Sequence, residues 1–159
     1  MIPLKFFSKN EKERLIAQLK KQFGIKEIPW KIARFGKERI IVFSGNISEK
    51  EIFELDRFAR IEGIGVYFGK EQNDEIRLSI EGVHLLKNQI TKNIFELDEK
   101  QAEQWMMGQE LSITTDKKGF FIMRYKNDFL GTGKISQNKI SNFIPKGRRL
   151  KYRENRIEK

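Results

Sequence analysis

From Gly131 to Arg156 the chain reads GTGKISQNKISNFIPKGRRLKYRENR, eight lysines and arginines against a single acid, Glu154. Gripping a sugar-phosphate backbone needs cations held in a row, with amide and aromatic groups between them to address bases. Lys134, Lys139, Lys146, Arg148, Arg149, Lys151 and Arg153 supply the charge, and Asn138, Asn142, Phe143 and Tyr152 supply hydrogen-bonding and stacking groups. Pro145 fixes its own backbone angle and Gly147 permits a tight bend, so IPKGRR is expected to form an ordered turn. Gly131 and Gly133 would leave room for a ligand backbone to come close. The bland reading of the same residues is a solvated, charged end whose glycines serve turn geometry alone.

The distribution of charge favours the first reading. The chain of 159 residues carries a net +10 with a pI near 9.8, which points to a polyanionic partner. Residues 131–159 hold nine basic and two acidic side chains, a net of +7, whereas the first 130 residues balance 23 against 20. The excess is a local patch. Thirteen phenylalanines and a rich supply of isoleucine argue for a packed core over disorder.

Other chemistry finds little support. Cysteine is absent, which removes disulfides, thiolate metal sites and a thiol nucleophile. His84 is the only histidine and lies in an apolar stretch. GIGVYFG (63–69) has the wrong spacing for a dinucleotide loop, and GTGK (131–134) lacks the remainder of a phosphate-binding loop. Glu96, Asp98, Glu99 and Glu103 cluster where a helix start would favour acids. No nucleophile–base pair or metal-ligand spacing is present, so no catalytic residue, metal or cofactor is expected. No apolar run reaches the length of a membrane span, and the charged opening segment is unlike a secretion signal. A cytoplasmic protein is the expectation.

The elements that position the patch read as follows. Ser8 with Glu11 is a reciprocal capping pair, and Leu15, Ile16, Leu19 and Phe23 share a face, predicting a helix over 9–23 closed by Gly24. WKIARFGKERIIVFSG predicts two strands about Gly36-Lys37. Ser48 and Glu51 open a second helix with a stripe of Ile52, Leu55 and Ala59, ending at Gly63. Strands over 66–68 and 75–80 and a short helix or turn to Leu86 follow, with a domain boundary at 88/89. In the second half, ITKNIFEL predicts a strand, and a helix capped by Asp98 and Gln101 ends at Gly108. QELSIT, GFFIMRY and DFLGTGKI are further strands, the last two joined by an Asn127-Asp128 turn. Short strands with little helix suggest a small, partly closed barrel. Trp105, beside Met106 and Met107, is expected in the core or between domains, not as a base platform.

IFELDEKQAEQWMMGQEL, KGFFIMRYKNDFLGTGKIS and KISNFIPKGRR together resemble a PUA-type RNA-binding module, notably the version appended to Sun/Fmu-class RNA cytosine-5 methyltransferases. Gly108, Gly119-Phe120, Leu130–Lys134 and Ile140–Arg148 carry the likeness, with Ser141 in place of the usual lysine. The whole chain also resembles the Nip-seven group of ribosome-biogenesis factors, through GVYFGKEQNDEIRLSIEGVHLL at the domain junction. The methyltransferases' S-adenosylmethionine-binding and catalytic-cysteine segments have no counterpart in it.

The resemblance implies an α+β chain. A small α/β (pre-PUA) domain over 1–88 precedes a PUA-like, partly closed β-barrel over 89–159. It further implies a non-catalytic protein binding structured ribosomal or transfer RNA, in ribosome biogenesis or as accessory to an RNA-modification enzyme. Its contacts would be Lys134, Lys139, Asn142, Lys146, Arg148, Arg149, Lys151 and Arg153, and its protein partner an RNA methyltransferase or ribosome-assembly protein. The alternative is an adaptor that docks on such a protein without touching RNA.

Overall fold

A computed structural model describes residues 3–58 and 65–151, arranged as two compact units, Met1–Lys92 and Asn93–Lys159. Both units mix helices and strands, and the sheet of the second curls into a half-barrel. Thr91 and Lys92 belong to the first unit because their amides donate to the Phe23 carbonyl, at 2.9 and 3.3 Å.

The sheet of the first unit runs β1-β2-β3-β4-β5, antiparallel throughout: β1 (Leu4–Phe6), β2 (Lys31–Phe35), β3 (Arg39–Phe43), β4 (Val66–Gln72) and β5 (Glu75–Leu78). Helix α1 (Lys9–Phe23) begins on the expected capping box: the Glu11 amide donates to the Ser8 hydroxyl and the Ser8 amide to the Glu11 carboxylate. The bond from the Ser8 backbone, chiefly, holds the Glu11 carboxyl below its usual range. Helix α2 (Glu49–Phe58) lays Ile52 on a cluster of Leu4, Ala33, Ile41 and Phe43. Its expected continuation through Ala59 to Gly63 lies outside the described residues.

Three readings shift here, the first being that β4 runs on to Gln72, past the expected end at Phe68. The strand beginning at Glu75 stops at Leu78, before the expected Ile80, because the Ser79 hydroxyl accepts from the Gly82 amide and caps helix α3 (Ile80–Leu85). Strand β1 was not expected at all; three residues of LKF show too little alternation to register.

Strand β5 is an edge, and Gln22 closes it. The buried Gln22 side chain donates to the Ile76 carbonyl at 3.0 Å and accepts from the Ile76 amide at 2.8 Å, standing in for the next strand. Gln22→Leu keeps the bulk but leaves both Ile76 groups unpaired beneath α1. It should lower the unfolding free energy by about 1–3 kcal/mol in urea denaturation; an unchanged midpoint would show that the clamp carries no stability.

The sheet of the second unit runs β6-β8-β9-β10-β7, with β6 (Ile94–Glu96) parallel to β8 (Gly119–Tyr125) and the other pairs antiparallel. Helix α4 (Glu99–Met106) starts at Asp98 with Gln101 completing a second capping box, as expected. Strand β7 is short, Leu111–Ser112. Strand β9 covers Asp128–Ser136, so the tight turn before it is Lys126-Asn127, one residue earlier than the Asn127-Asp128 expected. Lys126 takes the positive φ of 54° that the turn demands. Strand β10 (Lys139–Asn142) is reached through Gln137 and Asn138, both at positive φ, the mirror-image turn that matches strand twist.

Candidate nucleic-acid interface

Strands β9 and β10 set which cations share a face. Lys134 pairs with Phe120 on β8 and with Ser141 on β10, and Lys139 lies two residues before Ser141. Partners across a ladder, and residues two apart along a strand, point the same way. Lys134, Lys139, Ser141 and Phe120 therefore lie on one face of the half-barrel. The opposite face carries Phe121, Gly133, Ile135, Ile140 and Asn142, and against it packs Trp105.

Trp105 is fully buried, and its indole N–H donates to the Leu130 carbonyl at 2.8 Å. The expectation of a core residue is met. It also settles the role of Gly133. A Cβ there would come within 2.7 Å of the Trp105 ring and 2.6 Å of Ile140, so the missing side chain makes room for the protein's own tryptophan, and the expected access for a ligand backbone is not what it provides.

The segment after β10 is tied down at successive points. The Asn142 amide nitrogen donates to the carbonyls of Trp105 (2.8 Å) and Gln109 (3.0 Å), while its oxygen accepts from the Ile144 amide at 2.8 Å. Pro145 leads into a 3-10 turn, Lys146–Arg148, with the Arg148 amide on the Pro145 carbonyl at 2.9 Å. Arg149 is half-buried and donates through Nε to the Ile144 carbonyl at 2.9 Å. Its side chain lies over Gly108, whose φ of +87° and absent Cβ (which would stand 2.4 Å from Arg149 Cδ) let the two meet. The Leu150 amide then donates to the Met106 carbonyl at 2.8 Å, returning the chain to the end of α4. IPKGRR is an ordered turn.

The eight expected contact residues thus fall into groups. Lys134 and Lys139 project from one sheet face; Lys146, Arg148 and Lys151 are exposed on the anchored segment beyond it. Asn142 and Arg149 also hold the segment in place: Asn142 spends its amide on two backbone carbonyls and one backbone amide, and Arg149 spends its Nε on the Ile144 carbonyl. Arg153, like Tyr152, lies outside the described residues. Ion pairs among the described residues include those of Arg34 with Glu11 and Glu71, Lys70 with Glu38 and Arg124 with Glu96, and among these residues Lys134, Lys139, Lys146 and Lys151 take part in none.

Sequence reading had passed over what lies beneath the cations. Phe120, only 3% exposed, carries Lys134 Nζ at 5.5 Å from its ring centre and Phe143 at 6.3 Å. Lys117 stands 5.6 Å from the Phe121 ring. The signal for Phe120 was the double aromatic in GFFIMRY, which in a strand must put one ring on each face.

The first unit also sets cations over rings, among them Arg39 at 4.6 Å from the Tyr67 ring. Its groove of about 390 Å³ sets Arg34 beside Phe7, and the guanidinium there is already matched by Glu71 at 2.6 Å and Glu11 at 3.9 Å. His84 is exposed, and of the acids near α4 Asp98 caps the helix and Glu96 pairs with Arg124. Among the described residues no three His, Asp or Glu side chains gather as metal ligands, and no helix is long and apolar enough to cross a membrane.

Known proteins are similar to this chain in sequence. Residues 92–150 match the family model of the methyltransferase RsmF PUA domain, and this region is similar to that domain, as the sequence resemblance implied. Ribosomal RNA small subunit methyltransferase F of Vibrio cholerae (strain M66-2) is 26% identical over 145 residues, covering 91% of this chain and 30% of the relative. The enzyme of the same description from Vibrio vulnificus (strain YJ016) is 28% identical over 101 residues, covering 64% of this chain and 21% of the relative. The chain spans less than a third of the length of these relatives. The longer alignment also takes in most of the first unit, where the resemblance to the methyltransferases had not been expected to reach.

Replacing Asn142 tests the anchoring directly. Asn142→Ala leaves the Gln109 carbonyl and the Ile144 amide unpaired and takes one of two donors from the Trp105 carbonyl, and should destabilise the second unit by about 1–3 kcal/mol. Hydrogen exchange at the Leu150 amide should accelerate with it. Exchange at Leu150 that stays as slow as in the parent chain would mean the segment is held some other way.

Proposed function

We propose that the chain is a non-catalytic RNA-binding protein that engages structured ribosomal or transfer RNA through the basic face of its second unit. Lys134, Lys139, Lys146, Arg148 and Lys151 meet phosphates, while Asn142 and Arg149 hold them at fixed spacing. Arg153 belongs to the same cationic run in the sequence. The observation that carries this reading is the tethering of the cationic segment at Asn142, Arg149 and Leu150 in a domain of RsmF PUA type. A row of cations fixed beforehand pays less entropy on binding than a loose tail would.

The role that fits is an accessory one, in ribosome biogenesis or beside an RNA-modification enzyme, in the cytoplasm. The relatives named above are rRNA methyltransferases, and their likeness to both units supports a methyltransferase, or a ribosome-assembly protein, as the protein partner. The first unit, whose groove cation is already paired, suits that docking task better than RNA.

Binding of the whole chain to a folded rRNA fragment, measured across salt concentration, tests the proposal. Affinity should fall steeply with salt, and Lys134→Ala, Lys139→Ala and Lys146→Ala combined should make the log–log slope shallower by about 2–3. A flat profile, unaltered by the triple exchange, would favour the adaptor that never touches RNA.

A further inference from the structure

We infer that the hydroxyls of Ser112, Ser136 and Ser141 contact ribose, so that the basic sheet face prefers RNA over an otherwise identical nucleic acid without the 2′-hydroxyl. This rests on the RNA-binding reading above and adds how that face recognises the sugar.

Strand register builds the face. Lys139 of β10 stands between Ser112 of β7 and Ser136 of β9, in direct cross-strand pairs on both sides. Two residues further along β10, Ser141 stands opposite Lys134 of β9. Paired residues point the same way, as do residues two apart along a strand, so all five side chains share one side of the sheet. They form two rows about 6.8 Å apart, with paired Cβ atoms about 4.5–5.5 Å from one another. The Gln137-Asn138 turn, both residues at positive φ, closes the hairpin directly at Ser136 and Lys139 and pins this register.

The mixture of side chains in these rows points to sugar as well as phosphate. A strip of lysines alone would grip phosphate, which RNA and DNA share, because an ammonium only donates. Here each lysine has a hydroxyl beside it, and a hydroxyl also accepts. Ser112, Ser136, Lys134 and Lys139 are exposed, and Ser141 is half-buried. Among the described residues no hydrogen bond engages the three hydroxyls, and no ion pair engages the two lysines.

Along an RNA strand each phosphate is followed by a ribose whose 2′-hydroxyl both donates and accepts. Lysine on phosphate and serine on the neighbouring 2′-hydroxyl reproduce that alternation. In A-form RNA these hydroxyls line a wide, shallow minor groove, which a sheet face can meet without entering a cleft.

The test uses the whole chain and two hairpins of one sequence, one of RNA and one with 2′-fluoro riboses, which keep the A-form but have no hydroxyl to donate. The parent protein should bind the RNA hairpin about tenfold more tightly, the worth of one or two net hydrogen bonds. Ser112→Ala, Ser136→Ala and Ser141→Ala combined should reduce that preference to less than about twofold. The salt slope should stay unchanged, because serine carries no charge. Ser112→Thr, Ser136→Thr and Ser141→Thr combined keep the hydroxyls and should keep the preference. Equal affinity of the parent chain for the two hairpins overturns the inference and leaves RNA binding standing. A preference that survives the triple exchange to alanine, with both hairpins weakened alike or neither, overturns it as well. If the parent chain binds neither hairpin, the RNA-binding reading itself fails, and the ribose contact with it.

Discussion

The arrangement of the second unit depends on one side chain meeting the end of one helix. Past helix α4 the amides of Met107, Gln109 and Gly108 satisfy the carbonyls of Glu103, Gln104 and Trp105, whereas the Met106 and Gln109 carbonyls are met from further along the chain, and an unpaired, partly buried carbonyl is costly. Asn142 answers two carbonyls of that region, Trp105 and Gln109, with its amide hydrogens, and with its oxygen it turns the chain at Ile144. The need to satisfy a helix terminus thereby fixes where the cationic segment begins. Arg149 over Gly108 and Leu150 on Met106 repeat the same logic further along. The helix end and the basic segment are solved together.

This explains the division of labour among residues of similar type. Arg149 and Lys151 are two apart, yet one is half-buried against a glycine and bonded to Ile144, and the other is exposed. A guanidinium suits the first task because its planar edge donates in a fixed direction while its stem packs. A lysine on a free stem suits contact with a diffuse anionic surface. Similarly, Gly133 of GTGK is bracketed by strand pairing and filled from behind by Trp105, and it lets the sheet come close to its helix. Glycine-rich sequence near lysine reads as ligand binding only while the far side of the strand is unknown.

Helix starts were legible because capping boxes are local: Ser8 with Glu11 and Asp98 with Gln101 stand three residues apart and need no tertiary partner. The hairpin strands β2, β3, β8 and β9 were legible from alternation and turn residues, and the charge asymmetry drew attention to a segment that Asn142, Arg149 and Leu150 tie down. Strands β1 and β10 were not, since three or four residues give too short a period and their identity comes from the neighbour they pair with. The roles of Asn142 and Arg149 were hidden for a related reason. Sequence shows that a side chain can bond phosphate or carbonyl alike; only the position of the α4 terminus, more than thirty residues away in the chain, decides between them.

The central claim is that the fixed cations beyond β9 are the surface that meets RNA. The most direct measurement is lysine reactivity toward an acylating reagent, read residue by residue by mass spectrometry with and without a folded rRNA fragment. The account predicts protection at Lys134, Lys139, Lys146 and Lys151, with the lysines of the first unit as reactive as before. Protection confined to the first unit, or spread evenly over the chain, would contradict it.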